Sequence, residues 1–314
     1  MKNVYSFFTK SFSPDFLIFF RIAIGGIVLI HFLSFWNDFD LLFTNKSIIP
    51  LEIHTAYNSY PILPIDKILH ILSSLVGENA SVPVFKYIYI LLCLFIITGF
   101  FSRISAFLLL ILQVSFIKYG SLFYYGADFF TSMSLFYILI FPSSSFFSIQ
   151  QKIFPSFSQS RQSLTLCKRL IQIHLCIAYF FSGLDKILGF NWWNGESVWK
   201  AIHLPNLYHF IELSDYIKNP VFYIVFGWGT IFIELLYPLF INMNKTRKLW
   251  LILTISLHIG IIVCFKLFFF SSIMIVWNLT SYYFNYYNEN KMVSNPNPSV
   301  DTIKNTASLS TKKT

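Results

Sequence analysis

Long apolar runs separated by short polar stretches dominate the chain. Runs able to cross roughly 30 Å of hydrocarbon fall at Phe16–Trp36, Val84–Phe101, Ile104–Tyr124, Asp128–Pro142, Leu164–Leu184, Val221–Ile241, Leu249–Phe268 and Phe269–Tyr287. They predict an all-α, polytopic membrane helix bundle of about eight transmembrane helices, because a backbone in lipid must satisfy its own hydrogen bonds. The fourth run is short and the last two lack a clear turn between them, so seven and nine are the neighbouring counts. In the 47-residue connection after the first run, Ile65–Val76 places its apolar residues at helical spacing and predicts an interfacial helix. Ser143–Ser163, which mixes Phe and Ile with Ser, reads as a second interfacial segment, and Glu196–Leu204 as a short interfacial or re-entrant helix. One transmembrane domain, 1–287, is expected, followed by a disordered cytoplasmic tail, 288–314, rich in Asn, Ser, Thr and Lys.

Composition sharpens the class. Only 12% of residues are charged, against about 25% in soluble domains, so the chain cannot cover itself in water. The net charge of +9 is spread by topology. With the N-terminus in the cytoplasm, fourteen of the 23 Lys and Arg fall on that side and eight on the other, with Arg21 inside the first run. Two clusters, Lys168-Arg169 and Lys245–Lys248, carry the excess, as the positive-inside rule requires. The expected location is a cell membrane of the bacterial inner type, with lipid as a partner. Nucleic acid is excluded as a partner, because no basic patch lies on a soluble face. The four cysteines sit in or beside apolar runs at no metal-ligand spacing and read as packing residues; no metal is expected. No cleavable signal peptide is visible, since the first run contains Arg21 and lacks a small-residue cleavage site.

Ionisable groups inside apolar runs are expensive and are functional candidates by default. Arg21 reads either as a snorkelling cation or as the partner of a buried carboxylate. Glu234, four residues before Pro238, and His258 lie within the sixth and seventh runs and are candidates for a buried acid-base pair. The richest stretch is Tyr179–Lys200. On a helix, Lys186 lies over Ser182 and Tyr179 on one face, with Asp185 beside it, while His174, Phe181 and Asp185 share another. Trp192 and Trp193 follow in an Asn-Gly-containing turn that places two indoles at headgroup level. A lysine there is either an anchor reaching for water or a base whose proton is loosened by desolvation.

The stretch RLIQIHLCIAYFFSGLDKILGFNWWNGES, Arg169–Ser197, resembles the signature of the horizontally transferred transmembrane domain family. That family includes the membrane part of vitamin K-dependent γ-carboxylase and, among bacteria, sporulation-delaying protein B. The shared pattern is carried by Tyr179, Phe180, Ser182, Gly183, Lys186, Trp192 or Trp193, and Gly195, with Arg21, Glu234 before Pro238, and His258 as weaker matches. The resemblance spans about residues 15–285. It implies a helical membrane bundle with its working face away from the cytoplasm. Within the carboxylase branch it implies that the motif lysine, here Lys186, is the base that starts oxygenation of a reduced quinone of the vitamin K type. Two features separate this chain from that branch: no His lies between His70 and His174, and the sequence ends shortly after the last apolar run.

Three classes of function follow. One is a membrane enzyme that modifies or matures a secreted peptide or protein, with Lys186, Glu234 and His258 as catalytic candidates and Tyr179, Ser182, Asp185, Trp192, Trp193 and Arg21 as binding candidates. The cofactor is open, with a reduced quinone implied by the resemblance. The second is a non-enzymatic membrane protein that binds quinone, lipid or a partner chain in the same place. The third, a transporter, is disfavoured because no internal repeat is visible. A cavity lined by Lys186, Trp193 and at least one of Glu234 and His258 is expected.

Overall fold

The computed structural model describes residues 12–44, 46–48, 53, 65–119, 124–155, 161–203 and 213–284. Among them every regular element is helical. The main helices are α1 (Asp15–Ser34), α2 (Glu78–Thr98), α3 (Ser102–Tyr119), α4 (Gly126–Ile140), α5 (Arg161–Leu188), α6 (Pro220–Leu235), α7 (Arg247–Phe265) and α8 (Phe268–Asn278).

Among the described residues, fewer helices than the expected eight are long and apolar enough to cross a membrane. Four are: α1, α2, the 163–188 part of α5, and α7. The remaining apolar helices are shorter. The 15 residues of α4 rise about 22 Å at 1.5 Å each, below the roughly 30 Å of hydrocarbon. The sixth apolar run is two helices rather than one. Pro238 has no N–H to give the Glu234 carbonyl four residues back, so α6 stops at Leu235 and a separate turn, Tyr237–Phe240, follows. The seventh and eighth runs are separated at Lys266, whose left-handed backbone (φ 54°) ends α7. After Asn278, α8 continues as a π-helical turn, Leu279–Tyr283.

The interfacial expectations fare unevenly. Ile65–Val76 is helical over those bounds and buries Ile65 and Leu69. Residues 143–155 form a 3-10 turn, Ser143–Ser145, and a short helix, Ile149–Ile153, whose first turn is capped by the Ser148 hydroxyl accepting from the Gln151 N–H at 2.9 Å. The end of that expected segment belongs to α5, which begins at Arg161. The third expected helix runs Glu196–Ile202. Leu204, residues 285–287 and the tail 288–314 lie outside the described residues.

Helix α8 packs against α1, α4 and α7, which places its Trp277 at the centre of the bundle. The indole N–H donates to the Ser134 hydroxyl at 2.8 Å, and Phe20, Phe130, Tyr137 and His174 surround the ring at 5.0–6.2 Å. A second aromatic core lies where α1 ends: Phe32 stacks on Tyr89 at 4.0 Å, and Phe116 meets Phe43 at 4.7 Å. Such pairs add about 0.5–1.5 kcal/mol each beyond the area they bury. At the opposite end, Lys168 is fully buried over the rings of Phe12 and Phe16, at 4.7 and 4.8 Å. Its charge is therefore held by aromatic faces of the N-terminal segment.

Candidate functional site

Helix α5 approaches α6 without a side chain between them. A Cβ built on Gly183 would stand 2.5 Å from the Leu235 nitrogen and 2.8 Å from its Cα, so only glycine allows this backbone contact. That contact aligns the last turn of α5 with the last turn of α6. As a result Lys186 faces Glu234: Nζ lies 2.7 Å from Oε2. The ammonium also donates to the Ser182 hydroxyl at 2.6 Å and stands 5.1 Å from the centroid of the Trp192 ring. Its side chain is 16% exposed and that of Glu234 8%. Lys186 is thus turned into the bundle, where it is paired, and not reaching outward as an anchor would.

The tryptophans hold the turn after α5. The Trp193 indole donates to the Ile187 carbonyl at 2.7 Å, and Trp228 of α6 donates to the Trp193 carbonyl at 3.1 Å, with the two rings perpendicular at 4.4 Å. Trp192 therefore lies under the lysine and Trp193 fastens the turn to α6. Near the break in α6, Trp250 of α7 donates to the Ile233 carbonyl at 3.1 Å.

A second polar group continues from the first, one turn deeper. The Tyr179 hydroxyl and His258 Nε2 are 2.6 Å apart. Asn278 of α8 donates to the same hydroxyl at 2.8 Å and accepts from the Tyr237 hydroxyl at 2.7 Å. The ring of Tyr237 lies 4.2 Å from that of Tyr179. His258 Nδ1 is buried with no hydrogen-bond partner among the described residues. A proton acceptor, a proton donor and a buried imidazole thus sit in one water-poor cluster, the arrangement general acid-base chemistry needs.

The structure gathers Lys186, Ser182, Glu234, Tyr179, His258 and Trp192, with Trp193 as a brace. It leaves out two candidates. Asp185 is exposed and turned away from Glu234 by its position about 100° round α5 from Lys186. Arg21 is fully buried at the other end of the bundle, donating from Nη2 to the Phe147 carbonyl at 2.7 Å; no side chain at Gly99 competes for the space its guanidinium fills. Among the described residues it meets a backbone carbonyl and no carboxylate. Two members escaped sequence reading, Asn278 and Tyr237. Asn278 is the only Asn in the Phe-rich run Phe268–Asn278, whose other polar residues are Ser271 and Ser272, and a buried amide of that kind was the available signal.

The model of the HTTM domain matches residues 10–286. The chain belongs to the HTTM domain family. Neither a search of curated proteins nor one of solved structures returned a match. Membership together with the long apolar helices makes this HTTM domain protein a membrane protein of the γ-carboxylase-related family.

Proposed function

We propose that this HTTM domain protein is a multi-pass membrane enzyme that modifies a secreted peptide or protein, with Lys186 as general base. The observation that supports the reading is the buried contact of Lys186 with Glu234 and Ser182, with the Tyr179–His258 hydrogen bond one turn along α5 from Ser182. In this scheme Glu234 takes up and returns the lysine's proton, which leaves a neutral amine facing substrate. Tyr179 and His258 stabilise the altered charge. Trp192 offers an aromatic face beside the amine.

A reduced quinone fits these residues: the amine-carboxylate pair can accept a hydroxyl proton, and the indole plane matches a flat ring. When bound, such a group would supply reducing electrons and an acidic hydroxyl. In the full topology, eight crossings with a cytoplasmic N-terminus put Lys186 at the outer face of a cell membrane. The shorter helices α3, α4 and α6 and the α8–π segment complete the crossings where the bilayer thins around them.

The test is maturation of a co-expressed secreted peptide, read by mass spectrometry as a gain of one CO2 on glutamate. Lys186→Ala and Lys186→Arg both abolish the gain on this reading, since Arg keeps its proton. Full activity in Lys186→Arg would overturn it. The same cluster acting as a binding site without chemistry predicts instead that Lys186→Arg retains function.

A further inference from the structure

Arg21 carries more donors than its surroundings use. A guanidinium has about five N–H donors, and the bond described for it runs from Nη2 to the Phe147 carbonyl at 2.7 Å. Nε and Nη1 are buried and meet no hydrogen-bond partner among the described residues. The residue is 0% exposed and forms no ion pair among them. Asp15, earlier on α1, is exposed and accepts from the Ser13 hydroxyl at 2.5 Å instead. Two more donors at this end of the bundle lack an acceptor: the Ser102 and Ser143 hydroxyls are buried and also without a partner among the described residues. Ser143 opens the 3-10 turn that packs against α1 and α3, and Ser102 begins α3. The first N–H groups of α3 add partial positive charge there. Gly99 lies bare against the guanidinium: a Cβ on it would stand 1.6 Å from Nη1 and 2.5 Å from the Ser148 Cβ. The cover over Arg21 is thin and strained. Phe147, whose carbonyl it bonds, is 74% exposed and holds φ 40°, a left-handed backbone that a bulky residue adopts only at a cost.

We infer that this cluster binds a phosphate group, which takes the place of the Phe147 carbonyl on Arg21 and also accepts from Ser102 and Ser143. A buried donor without an acceptor is costly, above all on a charged group. The excess here is of donors, so the fitting partner is negative and rich in acceptors. A phosphate turns its oxygens in several directions and accepts from a guanidinium through two parallel bonds, which suits donors arriving from α1, α3 and the 3-10 turn. Exchanging a neutral carbonyl for a charged oxygen strengthens the bond and lets Phe147 leave its left-handed backbone. The position fits as well. Arg21 stands six residues into α1, a rise of about 9 Å, nearer to headgroup level than to the centre of a bilayer. Exposed Phe101, Ile104 and Ile149 flank it, as do the exposed cations Arg103 and Lys152. The phosphate arrives either on a lipid or free in solution, and its contacts are the same. The inference does not rest on the role proposed for Lys186.

The experiment is a titration of the delipidated full chain, in a sugar detergent and phosphate-free buffer, followed by calorimetry and thermal unfolding. The probes are dioctanoyl phosphatidylglycerol and inorganic phosphate. Dioctanoylglycerol, which has the same chains without the phosphate, and sodium chloride at matched ionic strength are the controls. Saturable binding of a phosphate probe, with the controls inert, is expected. Binding of the lipid alone assigns a headgroup, and binding of inorganic phosphate in competition with the lipid assigns a free phosphate. Arg21→Gln should abolish binding. The double variant Ser102→Ala with Ser143→Ala removes two hydroxyls and no packing carbon, and should weaken binding about tenfold. Should Arg21→Gln fail to fold, the serine variant and the controls still decide. Undiminished affinity in the serine variant, equal binding of dioctanoylglycerol, or no binding of either phosphate probe overturns the inference.

Discussion

The Lys186 ammonium lies 2.7 Å from the Glu234 carboxylate, and both side chains are largely withdrawn from the surface. Two helices distant in sequence therefore share one buried charge pair. Removing one partner strands the other. Lys186→Met alone is expected to destabilise the protein by about 3–5 kcal/mol, the cost of an unpaired buried charge. The double variant Lys186→Met with Glu234→Leu should recover most of this loss. Thermal unfolding in detergent checks both, and an undiminished Tm in Lys186→Met would show that the pair is solvated in the folded protein.

Gly183 sets the spacing on which that pair depends. Gly183→Ala places a methyl group 2.5 Å from the Leu235 nitrogen, where neither backbone can give way cheaply. A loss of about 1–3 kcal/mol is expected, as for overpacked cores, together with reduced yield of a Lys186Cys–Glu234Cys cross-link. Unchanged cross-linking in Gly183→Ala would mean the helices are free to slide.

Tyr179 bridges His258 and Asn278. Tyr179→Phe keeps the ring against Tyr237 and deletes the shared hydroxyl, leaving Nε2 of His258 and the Asn278 amide without it. A cost of about 1–3 kcal/mol is expected. Asn278→Leu in the same background should add less than it costs alone, because the two act on one bond. Strict additivity in the double-mutant cycle would show that the hydroxyl carries no coupling.

Topology is open to labelling. In a cysteine-free background, single cysteines at Asp185 and Lys200 are expected to react with an impermeant maleimide added outside the cell, and cysteines at Lys152 and Lys245 only after permeabilisation. The reverse pattern would invert the orientation inferred from the charge bias.

Helix content and most element positions were legible from apolar periodicity, since each run has to bury its backbone polarity within itself. The lengths of the individual helices were not. Pro238 divides a run that is continuous in hydropathy, and α4 is apolar throughout yet only 15 residues long. At the site, the Lys186–Ser182 contact followed from i, i+4 spacing on one helix. Glu234 and His258 were visible as misplaced polar residues, but which group each would meet depends on packing between helices. Asp185 and Lys186 are neighbours in sequence, yet Lys186 pairs with Glu234 while Asp185 is exposed, so proximity in the motif did not decide membership in the cluster. Arg21 looked equally anomalous and proved to serve a backbone carbonyl far from it.

Phe269 and Phe270 are consecutive residues, yet they touch different histidines: Phe269 lies on His31 at 4.4 Å and Phe270 meets His258 edge-on at 5.8 Å. The first turn of α8 therefore packs against both histidines, so a shift of that turn would alter the surroundings of His31 and His258 together.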